Sequence, residues 1–252
     1  MAISIYTDED FAGIRAAGRK ASATLDHISD FIAPGVSTYD LDRIVAEHTK
    51  KLGGICAPLN FEGYPKSCCI SRNDVICHGI PSKREFVEDG DMLNIDVTTI
   101  FNGYFGDTSR MFFAGRASDR ARELADAARE ALLRAIAICA PGVSFARIGR
   151  VVEEVARAHG FSIVREYCGH GIGTAFHEDP NVLHYYSRES EKLIMREGMV
   201  FTIEPMLNLG APDVRLDRDG WTARTADGGL SAQWEHTIGI TPSGAEIFTV
   251  SD

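Results

Sequence analysis

The sequence contains no long apolar run and no basic segment near its start, and each absence argues against a class of protein. None of its apolar runs approaches the roughly 18 residues that a membrane-spanning helix requires. The first residues, MAISIYTDEDF, carry three acids and no Lys or Arg, which is not typical of a secretory signal. We therefore expect a cytoplasmic protein that does not enter a membrane.

Positive charge is also scarce. The 252 residues include 26 Lys and Arg against 36 Asp and Glu, a formal net charge of −10. General nucleic-acid binders need clustered Lys and Arg to neutralise phosphates, so we expect no direct nucleic-acid binding. The acidic excess is compatible with a solvated surface and also with buried carboxylates that bind cations. Net charge alone does not decide between these two interpretations.

Cysteine patterns and nucleophile motifs are absent as well. The six cysteines form no C-x-x-C pair, and a chain of this size without a secretory signal is not expected to depend on disulfides. We interpret the cysteines as small buried side chains in a reducing cytosol. No G-x-S-x-G or similar context marks a nucleophilic hydrolase.

What the chain does contain is a repeat, at an offset of 107 residues. Residues 33–47 (APGVSTYDLDRIVAE) resemble residues 140–154 (APGVSFARIGRVVEE). In both copies Pro-Gly ends a helix, Ser37 or Ser144 can begin the next turn, and apolar residues recur at helical spacing. The two halves therefore share one local plan.

Alternating, apolar-rich segments follow each helical pair. Asn102-Gly103 is a strong turn signal and predicts a hairpin of residues 91–100 and 104–113. The order of helix, helix and strands, given twice, predicts an α+β fold with pseudo-twofold symmetry. The other predicted elements are helices at about 7–32 and 118–139 and strands at 199–207 and 231–240.

The repeat extends to polar residues. His78-Gly79-Ile80 is echoed by His170-Gly171-Ile172, Asp96 by Glu204, and Asp107 by Glu235. A duplication that served only the core would more readily repeat its apolar residues than its acids. We expect these acids to meet at the symmetry axis.

The predicted hairpin places two of these acids on one face. Asp96 would lie opposite Ser109, with Asp107 as its diagonal neighbour. Two like charges on a buried sheet repel unless one is protonated or a cation lies between them. Solvated surface acids are the alternative, and the hairpin by itself does not distinguish the two.

The other two acids favour the cation. Glu204 ends the apolar strand that precedes Pro205, and Glu235 lies in another apolar segment. Four carboxylates balance two divalent cations in formal charge. His170 lies among three closely spaced glycines, which permit close backbone approach. Oxygen-rich ligation with one imidazole favours hard or borderline ions. We interpret His27, His48, His159, His184 and His236 as structural.

At these residues the sequence resembles the type I methionine aminopeptidases of the pita-bread fold. The resemblance covers residues 5–250, and no insert of the type II kind separates His177 from Glu204. It implies a central antiparallel sheet covered by helices, in a single catalytic domain of residues 1–252 with halves of about 1–115 and 116–252. The matching runs are 64–81 (YPKSCCISRNDVICHGIP), 94–112 (NIDVTTIFNGYFGDTSRMF), 165–180 (REYCGHGIGTAFHEDP), 201–206 (FTIEPM) and 230–237 (LSAQWEHT).

The resemblance implies a site for two divalent metal ions, Co²⁺, Mn²⁺, Fe²⁺ or Zn²⁺. Asp96 would bind one ion and His170 with Glu204 the other, while Asp107 and Glu235 would bridge both. Glu204 would also move the proton of the attacking water.

The resemblance also assigns substrate contacts. His177 would hydrogen-bond the substrate carbonyl, and His78 would contact the scissile amide nitrogen or the chain beyond it. A narrow wall near both histidines would restrict the second residue to small side chains. The methionine pocket would be formed by Phe61, Tyr64, Cys69, Phe176 and Trp221, each of which could instead be plain core.

A monovalent cation, Na⁺ or K⁺, is implied at backbone oxygens of Asn73, Val75 and Ser231. Phe61 and Trp234 stand where tyrosine is common, and Cys68-Cys69 is a vicinal pair; these departures affect the shape of the pocket.

The implied partners are the N-termini of nascent polypeptides, with contact at the ribosome, and we expect a monomer. Two alternatives stay open at this point. One is another pita-bread metallopeptidase, such as a proline-specific enzyme. The other is a non-catalytic interaction protein of the same fold.

Overall fold

A computed structural model describes residues 3–251 of the chain. No helix within this range is both long enough and apolar enough to cross a membrane. The five α-helices of the described residues are Asp8–Ser29 (α1), Thr38–Lys51 (α2), Asp119–Ala137 (α3), Ala146–His159 (α4) and Arg188–Lys192 (α5).

The described residues also form fifteen short to medium β-strands and one 3₁₀ turn, Phe61–Gly63. The strands are Ile55–Cys56 (β1), Cys69–Arg72 (β2), Val75–Cys77 (β3), Met92–Phe101 (β4), Tyr104–Phe113 (β5), Ser162–Ile163 (β6), Gly169–Gly171 (β7), Glu178–Val182 (β8), Val200–Ile203 (β9), Met206–Asn208 (β10), Val214–Leu216 (β11), Ala223–Thr225 (β12), Ser231–Gln233 (β13), His236–Thr241 (β14) and Gly244–Ile247 (β15).

The predicted repeat is present in three dimensions. Each half contributes a helical pair, α1–α2 or α3–α4, followed by strands. Ser37 forms a bridge with Phe86, and its counterpart Ser144 forms the equivalent bridge with Ile194. The pseudo-twofold relation of the halves is therefore visible in the same backbone contact made twice.

The two serines nevertheless begin their helices differently. The Ser37 hydroxyl accepts the Asp40 N–H at 3.1 Å and caps α2. The Ser144 hydroxyl donates to the carbonyl of Ser190 at 3.0 Å and accepts the Ala146 N–H at 3.2 Å. Helix α4 begins two residues after Ser144, at Ala146, whereas α2 begins one residue after Ser37.

The strands pair antiparallel throughout the described residues, in four hydrogen-bonded sheets rather than one. The hairpin β4–β5 carries β2 and β1 along β4, and the largest sheet has the order β15-β14-β9-β7-β8. Two smaller sheets, β13-β10-β6 and β11-β12-β3, complete the antiparallel layer.

The strands predicted at 199–207 and 231–240 are present, but each is interrupted near its middle. The first segment breaks between β9 and β10 at Glu204-Pro205, because Pro205 has no N–H to donate. The second breaks between β13 and β14 at Trp234-Glu235. Ile203 pairs with His236 and Met206 with Gln233, so the two breaks face each other. Each break carries one of the acids that the repeat singled out.

The predicted hairpin is confirmed in its turn and its register. Asn102 and Gly103 both have positive φ, 51° and 84°, as the two-residue turn requires. Asp96 pairs with Ser109 and Thr98 with Asp107, which makes Asp96 and Asp107 diagonal neighbours on one face.

Helix α1 lies very close to the hairpin because glycine faces glycine at the contact. A Cβ atom added to Gly106 in β5 would lie 2.3 Å from the backbone nitrogen of Gly18 in α1. Apolar residues of α1 and α2, including Leu25 and Leu41, pack with Ile95 and Val97 of β4 in one core cluster. The fixed backbone of α1 therefore supports the strand that carries Asp107.

We predict that Gly106→Ala lowers the free energy of unfolding by about 1–3 kcal/mol, because backbone rather than a flexible side chain must give way. Urea unfolding would measure this change. Gly229→Ala is the control, since its Cβ would lie 3.1 Å from the end of the flexible Asp227 side chain and no closer than 3.4 Å to backbone. Equal effects of the two substitutions would contradict the close contact as the cause.

Candidate metal centre

All five predicted metal ligands border one cavity of about 520 Å³. The first half supplies two of them from the hairpin, and the second half supplies three from β7 and from the two strand breaks. The cavity therefore lies where the halves meet, as the repeated acids predicted. The five side chains are Asp96, Asp107, His170, Glu204 and Glu235.

The hairpin acids are held in different ways. The Thr98 hydroxyl donates to Asp107 Oδ1 at 2.7 Å. Asp96 Oδ1 is buried and has no hydrogen-bond partner among the described residues. Burial, together with the charges of Asp107 and Glu204, raises the pKa of Asp96 well above its ordinary value. Burial likewise raises the pKa of Asp107.

Glu204 is fixed at the end of β9 by three contacts. Its carboxylate accepts the Thr202 hydroxyl at 2.8 Å and the Gln233 amide at 3.1 Å. Its backbone N–H donates to His184 Nε2 at 3.1 Å. Burial and the charge of Asp107 raise the pKa of Glu204.

Glu235 is positioned through its backbone. The Thr108 hydroxyl donates to the Glu235 carbonyl at 2.7 Å, and the Glu235 N–H donates to the carbonyl of Ser109 at 3.2 Å. The hairpin of the first half thus clamps the acid of the second half. Burial, and then the charge of Asp107, raises the pKa of Glu235 well above its ordinary value.

His170 presents a lone pair to the acids. Its Nδ1 lies 3.0 Å from the Gly171 carbonyl, which can only accept, so Nδ1 carries the proton. Burial and the nearby His177 lower the pKa of His170 to about 3, so the ring is neutral. Nε2 is then an acceptor, and it lies 3.7 Å from Asp107 Oδ2 and 3.7 Å from Glu204 Oε1.

The clustered side chains cannot satisfy one another by hydrogen bonds, but together they can bind a cation. Ligand atoms of Asp107, His170 and Glu235 all lie within 4.8 Å of one another. An imidazole lone pair directed at carboxylate oxygens leaves every member an acceptor, a set that a divalent ion satisfies. The orphaned oxygen of Asp96 supports the same fit.

The residues predicted for the methionine pocket also border the cavity. Aromatic rings dominate this wall: the centroids of Phe61 and Phe176 are 4.8 Å apart, and those of Tyr64 and Trp221 are 5.2 Å apart. The Tyr64 hydroxyl donates to backbone carbonyls, which leaves its ring facing the cavity. Cys69 is buried beside Asp96, its partner across the sheet.

The two predicted substrate histidines border the cavity as well. His78 has φ of 57°, and burial, with the nearby His177, lowers the pKa of its side chain to about 4. His177 is an exposed residue 4.3 Å from His170, centroid to centroid. Both rings are therefore placed to hydrogen-bond a substrate without carrying a fixed charge.

The residues predicted to bind a monovalent cation lie outside the cavity. The Ser231 N–H donates to the Asn73 carbonyl at 2.9 Å, and Val75 pairs with Arg224 between β3 and β12. The structure brings Asn73 and Ser231 into contact, and the cation there stays a prediction.

Sequence reasoning missed the residues that hold Glu204. Gln233 lies two residues before Glu235 in the LSAQWEHT run, and Thr202 lies two residues before Glu204, on the same face of its strand. This period-two spacing was the available signal. His184 was interpreted as structural, and its bond to the Glu204 backbone depends on a fold contact that no local pattern shows.

Comparison with known proteins gives a consistent result. The family model for metallopeptidase family M24 matches residues 12–242. A methionine aminopeptidase of Escherichia coli K12 is 48% identical over 251 residues, 99% of this chain and 95% of the relative. The crystal structure of methionine aminopeptidase from Rickettsia prowazekii has a TM-score of 0.96 at 44% identity, covering 99% and 100% of the two chains.

A more distant likeness concerns the fold alone. Prolidase from Pyrococcus furiosus has a TM-score of 0.77 at 24% identity, covering 98% of this chain and 66% of the prolidase. The pita-bread fold is thus shared with proline-specific enzymes, whereas the full-length identity lies with methionine aminopeptidases.

The clustered negative charges predict that Asp96→Asn stabilises the metal-free protein and weakens its stabilisation by metal. In chelator at pH 8, Asp96→Asn should raise the free energy of unfolding by about 1–3 kcal/mol, because it removes a charge from a buried like-charged group. With Mn²⁺ added, the wild-type protein should gain more stability than the variant. Thermal unfolding in both buffers would measure the two differences.

The pH dependence of this stability difference follows from the raised pKa of Asp96. The folded chain holds that proton more tightly than the unfolded chain, so the repulsion acts at high pH and fades as pH falls. Asp91→Asn is the control. Asp91 is buried too, but hydrogen bonds from Glu88, Asn73 and Arg72 outweigh burial and lower its pKa, so its substitution should destabilise. A metal-free Asp96→Asn protein less stable than wild type would contradict the account.

Proposed function

The chain belongs to metallopeptidase family M24 and has the activity of a methionine aminopeptidase; from this premise we propose that it removes the first methionine of nascent proteins whose second residue is small. The observation that carries the proposal is the lone pair of His170, directed at Asp107 and Glu204 among buried acids. Cations would offset the repulsion within such a set, and two divalent ions would balance its four carboxylates.

The proposed ligands divide between two ions. Asp96 would hold one ion and His170 with Glu204 the other, while Asp107 and Glu235 would contribute to both. The Oδ1 atom of Asp96 is free to ligate, since no hydrogen bond uses it. Oxygen ligands with one imidazole suit Mn²⁺, Fe²⁺, Co²⁺ or Zn²⁺.

Divalent ions bound by these residues would supply Lewis acidity, which polarises a carbonyl and lowers the pKa of a bound water to about 7. The chain's own part is to move the proton. The Glu204 carboxylate, held by Thr202 and Gln233, accepts the proton of the attacking water and returns it to the leaving amine.

The two histidines orient the peptide. His177, at the exposed end of the cavity, donates a hydrogen bond to the carbonyl oxygen as negative charge develops there. His78, buried against Tyr167, contacts the scissile amide nitrogen or the chain beyond it. Neutral rings can donate without holding a counter-ion in the site.

Selectivity for methionine is proposed to arise from the aromatic wall. An unbranched thioether packs well against ring edges, and Phe61, Tyr64, Phe176 and Trp221 provide them, with Cys69 completing the pocket. The rings of His78 and His177 narrow the space for the second residue.

The same proposal covers the enzyme's cellular location, oligomeric state and domain organisation. We place it in the cytoplasm as a monomer, acting as chains emerge from the ribosome. Residues 1–252 would form one catalytic domain with halves of about 1–115 and 116–252. A monovalent ion, Na⁺ or K⁺, would bind carbonyls of Asn73, Val75 and Ser231.

Glu204→Gln should lower kcat by about 10²- to 10⁴-fold, because an amide cannot take the proton of water. Release of methionine from Met-Ala-Ser would be followed by mass spectrometry in metal-replete buffer, with circular dichroism to verify folding. Glu189→Gln, on the exposed helix α5, is the matched control and should keep wild-type turnover. Near-normal turnover of Glu204→Gln would remove its proposed role.

Asp107→Asn should release both ions, whereas Asp96→Asn should release one, because only Asp107 is proposed to bridge. Elemental analysis after dialysis would give the metal content per chain. Loss of a single ion from Asp107→Asn would rule out the bridging assignment.

A further inference from the structure

The wall of the cavity carries more negative charge than the metals require. Of the 22 described residues that border it, eight are Asp or Glu and none is Lys or Arg. Four of the eight are the proposed metal ligands, whose charge two divalent ions would cancel. The other four leave the occupied site with an excess of negative charge.

Two of those four acids already have local partners. Glu178 Oε1 accepts the Tyr6 hydroxyl and the N–H groups of Thr174 and Ala175, and Asp179 also takes part in a polar interaction. The remaining two, Glu62 and Glu166, form no ion pair among the described residues. Within residues 3–251, the one hydrogen bond that Glu166 accepts comes from the N–H of Arg165, whose guanidinium lies over Tyr185.

Exposure shows where these two acids lie along the cavity. The proposed ligands Asp107, Glu204 and Glu235 are buried, whereas Glu62 and Glu166 are exposed. Both therefore lie at the exposed end of the cavity, which we call its mouth. Glu62 adjoins Phe61, whose ring is 5.1 Å from His177, and Glu166 adjoins Tyr167, whose ring is 5.3 Å from His78.

Glu62 is held at the mouth by a constrained backbone. It lies in the turn Phe61–Gly63 with φ of 47°, a region that residues other than glycine seldom adopt. The Asn60 N–H donates to the Tyr64 carbonyl at 2.8 Å and closes the turn. Backbone strain of this kind persists where the surroundings fix a side chain, commonly at functional sites.

We propose that Glu62 and Glu166 select the residues beyond the second position, favouring substrates with Lys or Arg at positions three and four over substrates with acids there. The inference rests on the proposed function, because the first residue must occupy the buried end for the later ones to pass the mouth. A peptide whose first residue reaches the buried acids must extend past the exposed end of the cavity, where Glu62 and Glu166 lie.

The charge of Glu62 acts on His177, one of the two proposed substrate histidines. It is close enough to His177 to raise the pKa of that ring, against the larger lowering by burial. An exposed charge pair contributes modestly, so two acids acting on two basic residues should change kcat/KM by about 3- to 10-fold at low salt.

The test compares three peptides, Met-Ala-Lys-Lys-Ser, Met-Ala-Ser-Ser-Ser and Met-Ala-Glu-Glu-Ser, with the metal-loaded enzyme. We expect kcat/KM to fall in that order. The difference should lie mainly in KM, and it should shrink at about 0.5 M salt, where the Debye length is only about 4 Å.

The variants separate charge selection from damage to the site. In the double variant Glu62→Gln, Glu166→Gln the ratio between the basic and acidic peptides should approach one, whereas a merely structural defect would lower all three rates and keep the ratio. Glu189→Gln, away from the cavity, should keep the wild-type ratio.

Each other outcome has a distinct meaning. Equal rates for the basic and acidic peptides in the wild type, or an unchanged ratio in the double variant, would overturn this inference alone. Failure to release methionine from the neutral peptide would overturn the proposed function itself.

Discussion

Repulsion among four clustered carboxylates, three of them buried and that of Asp96 half-buried, is the constraint on which the rest of this structure depends. Asp96, Asp107, Glu204 and Glu235 face one another around the neutral His170 imidazole, whose Nε2 can only accept, and burial raises the pKa of every one of these acids. The metal-free chain must carry this cost. The surrounding core and the clamp between the halves offset it, and divalent cations would turn the same repulsion into binding.

The duplicated fold supplies the geometry that this arrangement needs. Each half brings two acids on antiparallel strands, and the strands of the second half break at the points where Glu204 and Glu235 turn into the cavity. Threonine hydroxyls on both sides, Thr98 and Thr202, hold carboxylates in place. The close contact of α1 with β5 through Gly18 and Gly106 limits movement of the strand that carries Asp107.

Much of this could be predicted from local patterns and from the repeat. The Asn102-Gly103 turn predicted the register of Asp96 and Asp107. The match between His78 and His170 in the repeat identified the corresponding segment of the second half. The strand breaks could not be predicted as a pair, since apolar residues continue on both sides of Glu235 and only Pro205 signalled an interruption. The bond from the Glu204 backbone to His184 and the positive φ of Glu62 depend on tertiary packing that no sequence period encodes.

The measurement that tests the central claim most directly is peptide hydrolysis by chelator-stripped protein, with and without added Mn²⁺ or Co²⁺. The substrates are Met-Ala-Ser and Leu-Ala-Ser, and mass spectrometry identifies the products. The account predicts release of methionine from the first peptide only, and only after metal is restored. Cleavage without metal, or no cleavage of either peptide with any divalent ion, would contradict it.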